Sequence, residues 1–168
     1  MRLTKFILLV GIIGLSFSAC EKDDICVDRD TPLLVLEFFD FENREIVKEV
    51  STLVVRGVDG TTTELAIIAN ISASSVALPL RPNLGTTEFS LSQNPTPSDT
   101  ATVNVDLVSF SYSTTEIFVS RACGFIANYN TVDGNLTIET GEGNWIKDIE
   151  VIIPEVENSN ETHVKIYH

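Results

Sequence analysis

The sequence predicts an all-β fold made of two packed antiparallel sheets, an immunoglobulin-like or similar β-sandwich. Short apolar segments alternate with polar residues at the period of a strand, and turn-forming residues separate them. No long segment has the period of a helix. A β-barrel is the alternative arrangement. No internal repeat indicates a propeller or a solenoid.

The predicted strands are short runs of aliphatic, aromatic and β-branched residues. They lie at residues 33–39, 52–58, 64–71, 88–92, 103–112, 117–120, 124–129, 136–138, 149–153 and 164–167. Pro79 lacks a backbone N–H, so segment 76–80 is expected at a sheet edge or as irregular chain. Residues 43–50 are expected to form a helical turn or a loop. Turns are also expected at three acid–glycine pairs: Asp59-Gly60, Asp133-Gly134 and Glu142-Gly143.

The alternation changes phase within segment 103–112. Val105 and Leu107 share one face, whereas Phe110 and Tyr112 fall in the opposite phase. Because side chains alternate with a period of two, a shift of one residue predicts a β-bulge or two successive strands.

Residues 1–19 are expected to form a signal peptide. Arg2 and Lys5 precede an apolar run of about ten residues, whereas a bilayer-spanning helix needs about 20. The small residues Ser18 and Ala19 before Cys20 resemble the bacterial lipobox, in which the cysteine is acylated and becomes the new N-terminus. Two or more acyl chains would anchor the chain stably to a membrane. The alternative is an ordinary cleaved signal followed by a chance cysteine.

Residues 20–31 are expected to be an acidic tether, and residues 32–168 a single β-sandwich domain. Within the tether, Glu21, Lys22, Asp23 and Asp24 resemble the surface-export signal of Bacteroidetes lipoproteins. This resemblance implies an outer-membrane protein displayed on the cell surface. The alternatives are a plain charged tether and a domain on the periplasmic face.

The charge of the chain excludes one class of partner. The net charge is −13, and removal of Arg2 and Lys5 with the signal peptide makes it −15. Nucleic-acid binding requires clustered Lys and Arg on one surface, which this composition does not provide. We therefore expect no nucleic acid among the partners, and a soluble, self-repelling domain.

The cysteine count predicts a disulfide. If Cys20 carries the lipid, Cys26 and Cys123 remain as an even pair in an oxidising compartment. They most simply form one disulfide that closes a loop of about 100 residues. The alternative, a catalytic or metal-binding cysteine, has no nearby histidine in the sequence.

The sequence contains none of the common hydrolase, phosphate-loop or calcium-loop motifs. Paired carboxylates remain as a hydrolase alternative, and Glu37, Asp40 and Glu116 are the first candidates because they lie near apolar runs. Solvent-facing strand positions explain these acids more simply. No catalytic residue and no cofactor are therefore expected.

No metal site is expected either. His163 and His168 fall on opposite faces of the last strand, and His163 is expected to face solvent. Four acids of the tether could bind calcium weakly through their oxygen atoms, although a solvated tether explains them better: Asp23, Asp24, Asp28 and Asp30.

Two further candidate sites follow from sequence. Four aromatic residues could form a platform for a sugar or peptide, although core packing explains them more simply: Trp145, Phe125, Tyr129 and Tyr167. Asp99-Thr100-Ala101 fits the O-glycosylation triplet of Bacteroidetes, which makes Thr100 a candidate acceptor in a proline-flanked loop.

Several stretches along the mature chain resemble an uncharacterised family of flavobacterial (Bacteroidetes) lipoproteins, a domain of unknown function. They are residues 20–26, 31–35, 78–80, 118–125 and 163–167. The resemblance supports the lipid anchor and the pairing of Cys26 with Cys123, and it implies no activity. We therefore expect a non-enzymatic binding or accessory module of the cell envelope, whose partner is an envelope protein or a glycan. The alternatives are a small hydrolase with paired carboxylates and a structural envelope protein.

Overall fold

The computed structural model describes residue 26 and residues 30–59, 65–93, 104–137 and 143–168. These residues form strands and connecting segments without a helix, which confirms the all-β class. The strands are β1 (Leu34–Phe39), β2 (Val50–Val58), β3 (Leu65–Ala73), β4 (Ser75–Leu78), β5 (Thr86–Gln93), β6 (Asn104–Ser120), β7 (Gly124–Leu136), β8 (Asp148–Val151) and β9 (Val164–Tyr167). None of the described residues belongs to a helix long and apolar enough to span a membrane.

Two separate sheets build the predicted β-sandwich. One has the strand order β4-β1-β9-β8 and the other the order β3-β2-β5-β6-β7. β1 and β9 pair in parallel, and the other described pairs are antiparallel. The sheets are therefore mostly antiparallel, and the one parallel pair arises where the last strand inserts between β1 and β8. β4 lies at a sheet edge, as Pro79 predicts. Residues 43–49 form a loop with a turn at 44–45, and β2 begins at Val50.

The core lies between the two sheets. In β1, Leu34, Leu36 and Phe38 are fully buried, and the intervening Val35 and Glu37 are only partly covered. The facing sheet contributes fully buried side chains from its central strands, which include Leu91, Val108 and Phe110. Full burial of each such side chain stabilises the fold by about 1.5–3 kcal/mol, so this interior holds the sheets together.

The bulge predicted near residue 107 is wrong. β6 pairs with β5 without a register shift from Asn104 to Ser111. Asp106 lies on the core-facing side of β6. Val105 and Leu107 are half-buried on its outer face. The apparent change of phase therefore reflects apolar residues on both faces of one continuous strand.

The β6–β7 pair does contain a bulge, several residues further along. The register shifts between Ser111 and Ser113, where β7 has one more residue than β6. Thr131 of β7 has a φ of 53° at this point, a left-handed conformation that is typical of bulges.

The turn predicted at Asp133-Gly134 is also wrong, because both residues lie inside β7 opposite Ser111 and Phe110. A Cβ atom on Gly134 would lie 3.1 Å from the Phe110 ring and 3.1 Å from the side chain of Ile149. A glycine within a strand often marks such a close approach rather than a turn. Gly134 thus allows Phe110 and Ile149 to pack closely.

The β6–β7 hairpin extends beyond the rest of its sheet. β5 pairs with β6 only as far as Thr86–Ser111, whereas β6 and β7 pair with each other up to Ser120–Gly124. We call residues 117–126 the hairpin tip. The predicted disulfide is present here, because Cys123 in the turn is bonded to Cys26 with a Cα–Cα distance of 4.9 Å.

Candidate functional site

A cleft with a volume of about 470 Å³ opens beside β5. Its wall comes from three strands of the five-stranded sheet, through Gly57, Ile67 and Phe89. Its other side is the segment 79–85 between β4 and β5, which we call the lip. The lining is mostly apolar, and the volume is within the range typical of small-ligand pockets, about 300–1,000 Å³.

Tyrosine hydroxyl groups fix the lip to the sheet. The Tyr112 hydroxyl donates to the carbonyl of Arg81 at 2.8 Å and accepts from the Arg81 N–H at 2.9 Å. The Thr87 hydroxyl lies 2.5 Å from the Tyr112 hydroxyl and also accepts from the Arg81 N–H. The Tyr129 hydroxyl donates to the carbonyl of Leu80 at 3.0 Å. Because the lip lacks a strand partner here, these side chains supply its backbone hydrogen bonds.

The two tyrosines form one buried unit. Their rings meet edge to face, with centroids 5.1 Å apart, and Tyr129 has no exposed surface. Burial and the neighbouring Tyr112 raise the pKa of Tyr129 to about 12. The Tyr129 hydroxyl therefore stays protonated over the physiological range and remains a donor to Leu80.

The lip presents the cation of Arg81 and the apolar side chain of Leu84 to the cleft. The guanidinium of Arg81 donates to the carbonyl of Val58 at 2.7 Å, which uses one of its five N–H groups. The N–H of Leu84 donates back to the carbonyl of Arg81 at 3.2 Å and closes a turn. Leu84 is 50% exposed at the cleft. This arrangement can bind an apolar group and place a polar acceptor of the ligand near Arg81.

A second cavity of about 600 Å³ has a polar lining. It lies between residues 30–33 and residues 157–160. The Leu33 N–H donates to the Ser159 hydroxyl at 2.8 Å across it. Most of its lining residues are polar, and half of them are exposed, so it lacks the fixed apolar wall of the first cleft.

The candidate aromatic platform does not form. Tyr129 and Tyr167 are core residues with 0% and 2% exposure, as the core-packing alternative predicts. Trp145 is half-buried and donates through Nε1 to the carbonyl of Leu91. Phe125 is 65% exposed at the hairpin tip, where its ring packs against Phe118 rather than against the other three.

The three candidate carboxylates have separate surroundings. Glu37 in β1 accepts from the Thr162 hydroxyl at 3.0 Å. Asp40 follows β1 and forms a 3.0 Å salt bridge with Lys48. Glu116 is exposed on β6, in the other sheet. The backbone N–H of Asn43 and the ammonium group of Lys48 lower the pKa of Asp40, which is the opposite of what a general acid needs.

The expectation that His163 faces solvent is wrong, because this side chain is fully buried. The backbone N–H of Val35 donates to Nδ1 of the His163 ring at 3.0 Å. The backbone N–H of His163 donates to the Val35 carbonyl, also at 3.0 Å. Burial lowers the pKa of His163, so the imidazole is neutral near pH 7. His168 lies against Phe38 and Trp145, and burial lowers its pKa as well.

Sequence reasoning missed Asp106, which is fully buried on the core-facing side of β6. Its Oδ2 accepts from the Ile146 N–H at 2.8 Å and so holds the chain that enters β8. The signal was available, because Asp106 has the same parity as Val108, Phe110 and Tyr112.

Several predicted site residues lie outside the part of the chain that the structure describes: Cys20, Glu21, Lys22, Asp23, Asp24, Asp28 and Thr100. Asp30 is described and is exposed. Across the described residues, no group of three or more His, Cys, Asp or Glu side chains could hold a metal ion.

Comparison with known proteins places the chain in a family. No curated protein and no solved structure matches it. One family model matches residues 52–168, which cover every strand from β3 to β9 and most of β2. This match spans more than half of the chain, and the chain therefore belongs to the family described as "Family of unknown function (DUF6452)".

Proposed function

We propose that the protein is a lipid-anchored module of the outer membrane that binds an envelope protein through the cleft beside β5. The rigid, mostly apolar cleft is the observation that carries this proposal. Pockets of this kind, with few polar groups around an apolar interior, are the usual form of a binding site. The lipobox-like sequence before Cys20 supports the anchor, and the acidic stretch after it supports display on the cell surface.

The cleft favours a protein ligand over a glycan. Sugars bind through many polar contacts and through open aromatic faces, whereas Phe89 at the wall has only 1% exposure. Leu84 and the wall residue Ile67 instead offer aliphatic surface. An apolar side chain from a partner segment would fill this space. The remaining N–H groups of the Arg81 guanidinium would donate hydrogen bonds to a carbonyl or carboxylate of the partner beside it.

The fixed lip favours binding without a large rearrangement. The hydrogen bonds from Tyr112, Thr87 and Tyr129 already hold its backbone in one position. A preformed site loses less conformational entropy when a ligand binds, so more of the contact energy appears as affinity. The binding role proposed here requires no catalytic group.

Site-specific photo-crosslinking in intact cells tests the binding site. A photoreactive residue at Leu84 should give an adduct with one envelope protein. The same residue at Ile46, which is 53% exposed in the 41–47 loop, is the matched control and should not. Tyr112→Phe should reduce the adduct at Leu84, because it loosens the lip. Identical adducts from both positions, or none from Leu84, would contradict the proposal.

Protease treatment of intact cells tests the display on the surface. If the domain faces outward, added protease should remove it from intact cells. A domain that survives in intact cells and is cut only after lysis would face the periplasm, and the surface assignment would then be wrong. Mass spectrometry of the N-terminal peptide checks acylation of Cys20.

A further inference from the structure

The hairpin tip carries an exposed aromatic pair. Phe118 and Phe125 are register partners at the end of β6 and β7, so their side chains lie on one face of the hairpin. Their exposures are 56% and 65%, and the ring centroids are 5.3 Å apart in an edge-to-face contact. Neighbouring large apolar groups in water mark an interaction surface more often than isolated ones do.

The disulfide ties this aromatic pair to the start of the mature chain. Cys123, two residues before Phe125, is bonded to Cys26. Cys26 follows Cys20 by only six residues. A fully extended chain spans at most about 3.5 Å per residue, so a lipid on Cys20 would hold the tip within about 20 Å of the membrane surface.

The single charge within the tip itself suits a lipid surface. Arg121 is the only charged residue of segment 117–126, and it is exposed in the turn. A guanidinium group is well suited to bind lipid phosphate. Glu116 shares the face of Phe118 and lies two residues further from the turn. This exposed carboxylate sets the depth at which apolar insertion would stop.

We propose that the hairpin tip inserts Phe118 and Phe125 into the headgroup region of the membrane and orients the domain there. This inference rests on the proposed lipid anchor, because the short link between Cys20 and Cys26 brings the tip to the membrane. Aromatic rings are favoured at the boundary between headgroups and acyl chains. The anchor would supply the membrane attachment, and the tip would fix which surface of the domain faces away from the membrane.

Depth-dependent fluorescence quenching tests the insertion. The lipidated full chain is purified and reconstituted into phosphatidylcholine vesicles with or without brominated acyl chains. F125W is the reporter, and L84W is the matched control because Leu84 is also half exposed. The emission of the native chain, which has one tryptophan, is subtracted. Brominated lipids should reduce the F125W signal about twofold, because insertion to the acyl boundary places the ring near the bromines, and should leave L84W unchanged.

A second reporter and a mass measurement make the outcomes distinct. F118W should be quenched like F125W. If Cys20 is acylated and neither reporter is quenched more than L84W, the tip inference is wrong and the anchor stands. If Cys20 is not acylated, the anchor and this inference both fail. A blue shift that grows with the protein-to-lipid ratio without bromine quenching would show that a second copy covers the tip, which also overturns the inference.

Discussion

The sandwich interior buries polar side chains, whereas the hairpin tip exposes apolar ones. Inside the sandwich, the fully buried polar side chains of Asp106 and His163 hold backbone groups of neighbouring segments. At the tip, Phe118 and Phe125 are more than half exposed. Buried polar groups stabilise a fold only where they are hydrogen-bonded. Apolar side chains that stay mostly exposed add little folding stability, because they bury little area. The interior therefore serves folding, and the tip is available for an interaction.

The difference also depends on where each region lies along the strands. The side chains of Asp106 and Tyr112 accept hydrogen bonds from backbone N–H groups outside the strand pairing. These N–H groups belong to Ile146 before β8 and to Arg81 in the lip. Such backbone groups need partners that no neighbouring strand supplies. The backbone of the tip is instead bonded within the hairpin, through the β6–β7 pairing and through the Ser120 hydroxyl, which accepts from the Cys123 N–H at 3.0 Å. The rings of Phe118 and Phe125 are therefore not required for that purpose.

Removal of the disulfide should have the largest effect, because it joins the tip to the N-terminal segment. The double substitution Cys26→Ser and Cys123→Ser opens a loop with a sequence separation of 97. The chain-entropy model gives a loss of about 4–5 kcal/mol in the free energy of unfolding. Urea unfolding measures it, and reduction of the native chain is the control. A loss below about 1 kcal/mol would mean that this loop is already restricted in the unfolded chain.

Matched phenylalanine truncations test the comparison directly. Phe110→Ala, in the interior, should lower the free energy of unfolding by about 3–5 kcal/mol because it leaves a cavity. Phe125→Ala, at the tip, should change it by no more than about 0.5 kcal/mol. Equal losses in urea unfolding would show that the tip is part of the folding core.

Two tyrosine substitutions separate the contributions to the lip. Tyr112→Phe removes a hydroxyl that serves both Arg81 backbone groups and Thr87, and it should cost about 2 kcal/mol. Tyr129→Phe removes one hydrogen bond to Leu80 and should cost about 1 kcal/mol. Thermal unfolding compares the two. If Tyr129→Phe is the more damaging, the lip depends chiefly on Leu80.

The buried His163 should make stability depend on pH. Burial lowers its pKa from the ordinary value of 6.5, so the unfolded chain binds a proton more readily than the folded chain does. Glu161 acts in the opposite direction and weakens this effect. The contribution of neutral His163 to the free energy of unfolding is complete above the pKa of this histidine in the unfolded chain. It is lost as the pH falls below about 6.5.

Urea unfolding at several pH values above about 5, where most carboxylates stay ionised, measures this loss. His163→Asn keeps an acceptor for the Val35 N–H and should give a flatter profile. His168→Asn is the matched control, because burial lowers the pKa of His168 too. A His163→Asn profile as steep as that of the native chain would assign the dependence to His168.

The candidate sites were less predictable than the fold. Tyr112 and Leu84 gave no functional signal in the sequence, because the lip depends on hydrogen bonds between residues 31 positions apart. Phe125 was a candidate for an aromatic platform or for the core, but it is exposed and its ring partner is Phe118. His163 was expected to face solvent because polar residues in alternating segments usually face outward. This rule fails for His163 and for Asp106, whose buried side chains each accept a hydrogen bond from a backbone N–H of another segment.

The sequence by itself determined the strand class, the edge position of β4 and the pairing of Cys26 with Cys123, because these follow from local alternation, from Pro79 and from the cysteine count. Only the tertiary structure decided that β9 lies parallel to β1, that Gly134 belongs to a strand, and that the lip and the tip present Leu84 and Phe125. Each of these depends on contacts between segments far apart in the chain, and local periodicity carries no information about such contacts.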